Sequence, residues 1–382
     1  MKPGNLAAWS CIALLVPILI HGAEAGPAQG VAGRGGKTNF TVPAWHPDAR
    51  WELCRLGGCN GGGFLDGPTR ALQSSSIGVF GPGYINAEGG RFFFGWFDPA
   101  NGLAYAAAGS GRGYLDGPIS RARFSGWDYN GGPFTVQSPD ARFLFLTDRR
   151  LGKMTLRCID WAKQTVRTIV PELPPFLGMT AGPGGSIYML SANGQLRVLN
   201  AEGQPVKEYT LATSNAVTVG FLRNYPLAVD DVHNRLYCAA PPSKGWYLGY
   251  WDLADGTYHG VVPKSEKRRT RNQPGPFEGV DWYDEGNIIQ FGPDDPERRF
   301  LYMVRTDTWQ AFRLDLERKM VAALLVEGNG RDGKPQTVSF NEAQGTGTAM
   351  IYGTMRWLAD GSGSFTATTH SPSEAWLYRR IK

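Results

Sequence analysis

The residues that could do chemistry are scattered along this chain. Of its five histidines, His21 lies in an apolar leader, and His46, His233, His259 and His370 lack the spacing that would set two metal ligands on one face. His233-Asn234 reads as a turn between strands. No Gly-x-Ser-x-Gly elbow is present, and Gly61-Gly62-Gly63 follows a predicted strand without opening a helix, which argues against a phosphate cradle. Cys54 and Cys59 flank a Gly-containing turn and are close enough in sequence to form a disulfide. No Cys-x-x-Cys pair exists, so a thiolate metal site is not expected. Cys158 and Cys238 sit inside alternating apolar stretches, as buried free thiols do. Twelve tryptophans raise the alternative of saccharide stacking. Trp51, Trp251 and Trp376 fall in strands and read as core, whereas Trp127, Trp246, Trp282 and Trp309 fall near predicted loops, where a flat ring could meet a ligand. The basic run Lys264, Lys267, Arg268, Arg269 and Arg271, broken by Glu266, reads as a solvated loop, with an anion contact as the alternative.

The composition supports a folded chain. Hydrophobic residues make up 42%, aromatic residues 12% and charged residues 19%, which is ample for a core and unlike a disordered sequence. The formal charge of +5 over 382 residues is mostly interspersed, and no nucleic-acid partner is expected from it. Lys2, the apolar stretch 11–20 and Ala23-Glu24-Ala25 read together as an export signal over residues 1–25. Pro17 interrupts that stretch, and nothing else approaches the roughly 20 apolar residues of a membrane helix. The expectation is a secreted or periplasmic monomer, with a flexible segment at 26–44 and one domain at 45–382.

The elements that must position any site announce themselves as a repeat. An apolar strand ends in a carboxylate or amide, a few turn residues follow, and another apolar strand begins. Asp98, Asp160, Asn200, Asp252 and Asp315 each mark one copy. Upstream stands a second unit, a polar turn followed by an aromatic and branched strand, as at Ser138-Pro139-Asp140 before 143–146 and Gly182-Pro183-Gly184-Gly185 before 187–190. Together they give about four strands per 40 to 50 residues, the period of propeller blades. The units fall near 76–109, 133–170, 174–211, 224–262 and 280–327, with a last, short one from about 345. The segment 50–53 supplies the strand that the last unit lacks. The expected fold is therefore all-β, a six-bladed β-propeller of four-stranded antiparallel blades, closed by pairing the N-terminal strand with the C-terminal blade.

A third element, Gly-Phe-Leu-Asp66-Gly67-Pro68, recurs as Gly113-Tyr114-Leu115-Asp116-Gly117-Pro118 and more loosely as Gly330 to Pro335. With Arg121-Ala122-Arg123-Phe124, Ser138-Pro139-Asp140 and Phe145-Leu146-Thr147-Asp148, it makes the segment 109–148 resemble an NHL repeat and the related six-bladed propellers of the SMP-30/gluconolactonase type. The second resemblance implies a metal-dependent hydrolase or lactonase, holding a divalent cation such as calcium with oxygen ligands. Pro276-Phe277-Glu278-Gly279 is similar to that group's inner-strand motif, so the resemblance implies Glu278 as a ligand, with Asn224 and Asp148 beside it. The Asn expected before Ser138 is missing, and the Glu278 motif falls in the fifth unit, not the first.

In a propeller the longest loops gather on one face. Here these are 110–132, 212–224, 263–280 and 328–346, with the tips near Asp148, Lys244, Asp307 and Glu374. The function expected first is an NHL-like binding module recognising a protein, saccharide or small molecule through that face. The metal-dependent hydrolase is the alternative, and a saccharide-binding module the second alternative.

Overall fold

The computed structural model describes residues 49–58, 67–68, 78–80, 83–88, 91–98, 103–108, 113–119, 121–125, 135–139, 142–160, 162–212, 226–239, 245–264, 274–279, 287–292, 295–305, 310–327, 336–342, 355–357, 363–368 and 374–381. All of them belong to one compact unit, 40–382. The expected signal segment 1–25 and the segment 26–44 lie outside the described residues.

The chain is all-β. After β1 (Arg50–Gly58) and β2 (Gly67–Pro68), the strands β3 (Gly78–Phe80), β4 (Gly83–Glu88), β5 (Arg91–Asp98) and β6 (Leu103–Ala108) form an antiparallel sheet. The next sheet follows β7 (Gly117–Pro118) and contains β8 (Thr135–Gln137), β9 (Phe143–Arg150), β10 (Lys153–Asp160) and β11 (Thr165–Val170). Then come β12 (Gly178–Ala181), β13 (Ile187–Leu190), β14 (Gln195–Leu199) and β15 (Pro205–Thr210). They are followed by β16 (Leu227–Asp230), β17 (Arg235–Ala239), β18 (Trp246–Asp252) and β19 (Tyr258–Pro263). After β20 (Gly275–Pro276), the strands β21 (Asn287–Phe291), β22 (Phe300–Arg305), β23 (Gln310–Asp315) and β24 (Met320–Glu327) repeat the pattern. The last strands are β25 (Thr337–Asn341), β26 (Arg356–Trp357), β27 (Phe365–Thr368) and β28 (Glu374–Arg380). These four-stranded antiparallel sheets are of the propeller-blade kind, and they fall where the repeat places them.

The recurring strand-end carboxylate has a local cause. Asp160 Oδ1 accepts from the amides of Ala162 and Lys163, Asn200 Oδ1 from those of Glu202 and Gln204, Asp252 Oδ1 from that of Ala254, and Asp315 Oδ1 from those of Glu317 and Arg318. Each side chain satisfies the turn that joins the third strand to the fourth. Asp230 does the same for the β16–β17 turn, where His233 stands as the sequence places it and sets its Nδ1 2.9 Å from Asp230 Oδ2.

Packing occurs between successive sheets. One core cluster joins Phe143, Phe145 and Leu156 to Met179, Ile187 and Leu199; another joins Leu190 and Leu196 to Val229, Leu236 and Trp251. A third joins Tyr237, Leu248 and Val262 to Leu301, Phe312 and Leu325. Middle strands are consequently buried on both faces, as along β9 and β23, whereas the outer strand β15 is exposed almost throughout. Cys158 and Cys238 are buried free thiols, as expected, and burial pushes the Cys158 thiol up to about 12.

β1 pairs antiparallel with β28, Trp51 opposite Arg380 and Leu53 opposite Tyr378, so the segment predicted to complete the last unit does lie against it. The Trp51 ring is buried against Phe340 and Phe365, and its indole N–H donates to Gly363 O at 2.9 Å. β25 adds a join that the repeat did not foresee, pairing with both β24 and β1.

The Gly-Pro element is an edge device. Gly67-Pro68 pairs with the start of β6, Gly117-Pro118 with the start of β11, and Gly275-Pro276 with the start of β24. Proline has no N–H to offer a further strand, so the outer edge is blocked there. The copy expected at 330–335 lies outside the described residues. The structural counterpart is at 275–276, within the segment read as similar to an inner strand; the first strand of that sheet is instead β21.

Candidate functional site

The segment 113–125 packs with the tip of the β9–β10 hairpin. The Gly113 amide donates to Phe124 O at 2.9 Å, and Leu115 and Arg123 exchange backbone hydrogen bonds of 3.2 and 3.0 Å. Below them β7 adds to β11, and Ile119, Ala122 and Phe124 are buried. A loop without regular structure thus acquires both a ladder and a core.

Arg157, in the middle of β10, holds this loop to the sheet. The side chain is wholly buried, and all five of its N–H groups are used. Nε and Nη2 donate to Asp116 Oδ1 at 3.1 and 2.8 Å, Nη1 to Asp148 Oδ2 at 2.7 Å, and the remaining two to the carbonyls of Arg123 and Leu115 at 2.6 and 2.8 Å. The guanidinium also lies 4.5 Å from the Tyr114 ring centroid and 4.6 Å from that of Phe124. A buried charge is tolerated only when paired and fully hydrogen-bonded, and the planar fork of arginine suits such a junction. Asp116 Oδ2 accepts from the Thr168 amide at 2.8 Å, and the Tyr114 hydroxyl bonds Thr168 Oγ1 at 2.5 Å and Thr155 Oγ1 at 3.2 Å. Asp148 additionally accepts from the Ser125 amide at 3.2 Å, the Ser125 hydroxyl and the Arg149 amide at 2.8 Å.

Above this junction the hairpin projects. Residues 149–154 are all exposed, and Leu151 is 94% exposed. Arg150 stacks over Tyr114 at 5.4 Å, Lys153 pairs with Glu172 at 2.7 Å, and the Leu173 amide donates to Met154 O at 2.7 Å. The hydrogen-bonded junction therefore carries exposed cationic and apolar groups above it.

No family model matches this sequence. None of the curated proteins matches it either. The structure is similar to that of a protein of unknown function from Bacteroides thetaiotaomicron VPI-5482, with a TM-score of 0.56 and 13% identity over 87% of this chain and 76% of that one. TolB from Acinetobacter baumannii is similar at a TM-score of 0.41 and 12% identity, over 72% of this chain and 56% of that one. At 13% identity the likeness to the Bacteroides protein shows the fold alone.

Of the residues expected to bind a cation, Asp148 and Glu278 lie among the described residues. Both oxygens of Asp148 are used by N–H and O–H donors, so a cation there would displace Arg157, and this donor set does not fit a metal. Glu278 is exposed on the 3-10 turn Phe277–Gly279, directly after the strand that pairs with β24. Asn224 lies outside the described residues. Among the described residues, no three histidine, cysteine or acidic side chains are grouped to hold one ion. The described polar side chains of the first strands are hydroxyls and amides, Thr135, Gln137, Thr180 and Gln290, with Asp230 engaged in its turn.

Trp246 is 37% exposed at the start of β18, and its ring covers Gly260 so closely that a Cβ there would fall 2.0 Å from it. Trp127, Trp282 and Trp309 lie outside the described residues. Cys54 lies opposite Leu377 in the β1–β28 ladder, and Cys59 is outside the described residues. The basic run beyond Lys264 is outside them too. No described helix is long and apolar enough to cross a membrane.

Sequence reasoning placed the tip near Asp148 on the expected face but missed Arg157. Asp116 stood in a recognised motif, but nothing in the motif pointed to its partner Arg157. The usable signal was an arginine inside an apolar strand, where a charge requires partners.

Proposed function

We propose that the chain is an exported binding module, a six-bladed β-propeller that recognises a partner through the face built on residues 113–125. One observation carries this reading: a loop of irregular backbone is held rigid by a fully buried arginine with every donor satisfied. Preorganising a surface in this way lowers the ordering cost of binding. The platform consists of the residues on which the NHL-like resemblance rests.

Six blades and ring closure are part of the proposal. The β1–β28 pairing supports it, and so does the succession in which β8 lies beside β12, β12 beside β16, β16 beside β21, and β27 beside β3. Hydrogen exchange on a complex with a purified partner tests the face. Protection is expected at 113–125, 149–154, 191–194 and 245–246. Protection confined to the opposite turns 162–164, 200–204, 253–257 and 316–319 would sink the proposal.

Trp246 favours saccharide as a second kind of partner, because its ring is braced flat against Gly260 at the same face. Tryptophan fluorescence that responds to a polysaccharide in the wild type and not in Trp246→Ala would support it; an unchanged response in the variant would remove it.

A further inference from the structure

Leu151 combines two unfavourable features. It is the most exposed of the large hydrophobic side chains described, at 94%, and its φ of 51° places a branched residue in the left-handed region. The other described non-glycine residues with positive φ are Gln164, Asn234, Arg298 and Lys319, all polar. In the two-residue turn Leu151-Gly152, with φ values of 51° and 80°, asparagine would meet the backbone demand and the solvent better. A residue that opposes both local conformation and solvation points to a contact made with something else.

The surroundings say what that contact is. Arg149, Arg150 and Lys153 are exposed around Leu151, and Arg121 and Arg123 are exposed on the loop that Ser125 fastens to the base of the hairpin. Among the described residues, Asp116 and Asp148 are committed to Arg157, and Glu172 to Lys153. Arg150 is held in place over Tyr114. The corresponding tip of the β13–β14 hairpin has none of this: Ser191–Gln195 lies close to the sheet, its Ser191 hydroxyl bonding Asn193 Oδ1 at 2.5 Å and Gln195 O at 2.8 Å.

We propose that the β9–β10 hairpin tip docks an acidic protein segment, with Leu151 entering an apolar notch and Arg149, Arg150 and Arg123 meeting the carboxylates around it. This deepens the binding-module reading and rests on it. The occupant follows from charge complementarity: a cationic rim around one apolar residue selects a partner with the opposite pattern.

The test uses a fluorescein-labelled 14-residue peptide of glutamate and aspartate around a central Leu-Phe pair, followed by anisotropy at low and physiological salt. Binding should weaken with salt and fall about tenfold or more in Leu151→Asn and in Arg149→Glu/Arg150→Glu. Leu151→Asn should retain or gain thermal stability, which separates lost binding from misfolding. Benzophenone placed in turn at 151, 246 and 202 separates the two levels of the reading. Crosslinking at 151 supports the tip. Crosslinking at 246 with affinity unchanged in the tip variants overturns the tip and leaves the face. Crosslinking at 202 alone overturns both. Absence of peptide binding, or binding to phosphatidylglycerol vesicles in its place, overturns the acidic-segment assignment.

Discussion

Arg157 and Arg197 stand at the same register, each three residues before the turn residue of its third strand, Asp160 and Asn200. Their surroundings differ entirely. Arg157 is wholly buried and bonded to two carboxylates and two carbonyls, whereas Arg197 is exposed and pairs across the strands with an exposed Glu208 at 3.0 Å. The difference comes from the chain that precedes each sheet. A platform loop reaches over β10, bringing Asp116 and two backbone carbonyls to it. The link before β12 is a short run at 171–177 and supplies no such cover. A position in a repeat sets where a side chain starts; the irregular segment decides what it does.

The largest test of that contrast is Arg157→Met, which strands Asp148 and Asp116 beside a vacated junction. It should lower unfolding stability by about 3–5 kcal/mol in denaturant titrations and open 113–125 to limited proteolysis. A loss near zero would make the two arginines equivalent and break the comparison. Asp148→Asn keeps the shape but removes one charge, and about 1–3 kcal/mol should be lost.

The pair Arg299–Asp315 lies between the two extremes. It is bidentate, at 3.0 and 2.7 Å, with Asp315 buried and Arg299 partly exposed. Burial pushes the Asp315 carboxyl up, but hydrogen bonds from Arg299 and the Arg318 amide outweigh it and hold the group below its ordinary 3.8. A carboxyl depressed by folding stabilises above that ordinary value, and the gain is lost as pH falls through the lower folded one. Asp315→Asn should therefore cost about 1 kcal/mol at neutral pH, and the gap from wild type should narrow in acid below 3.8. The smallest effect is expected for Arg197→Met, within about 0.5 kcal/mol of wild type. A larger loss would mean that the surface pair matters more than its exposure allows.

Much of the fold was legible because local chemistry repeats. Asp160, Asn200, Asp252 and Asp315 announce their turns by cupping nearby amides, a rule that acts within four residues. The partner of residues 50–53 could be deduced because the last unit lacks a strand, and an unpaired edge must be managed. The counterpart of Gly117-Pro118 was missed at Gly275-Pro276, since a two-residue strand has no periodicity and is recognisable only by the edge it covers. The site was less legible still. Asp116, Asp148 and Arg157 are separated by 32 and 9 residues along the chain, and nothing local marks them as one group.

By itself, the sequence determined the all-β repeat, the turn chemistry and the burial of Cys158 and Cys238. All of these follow from period and from short-range hydrogen bonding. Only the tertiary structure decided that Asp148 faces an arginine, that Glu278 lies exposed beside an outer edge, and that Leu151 projects into solvent. Those outcomes depend on which distant segment covers a given strand, and burial and charge pairing act through space without regard to separation along the chain.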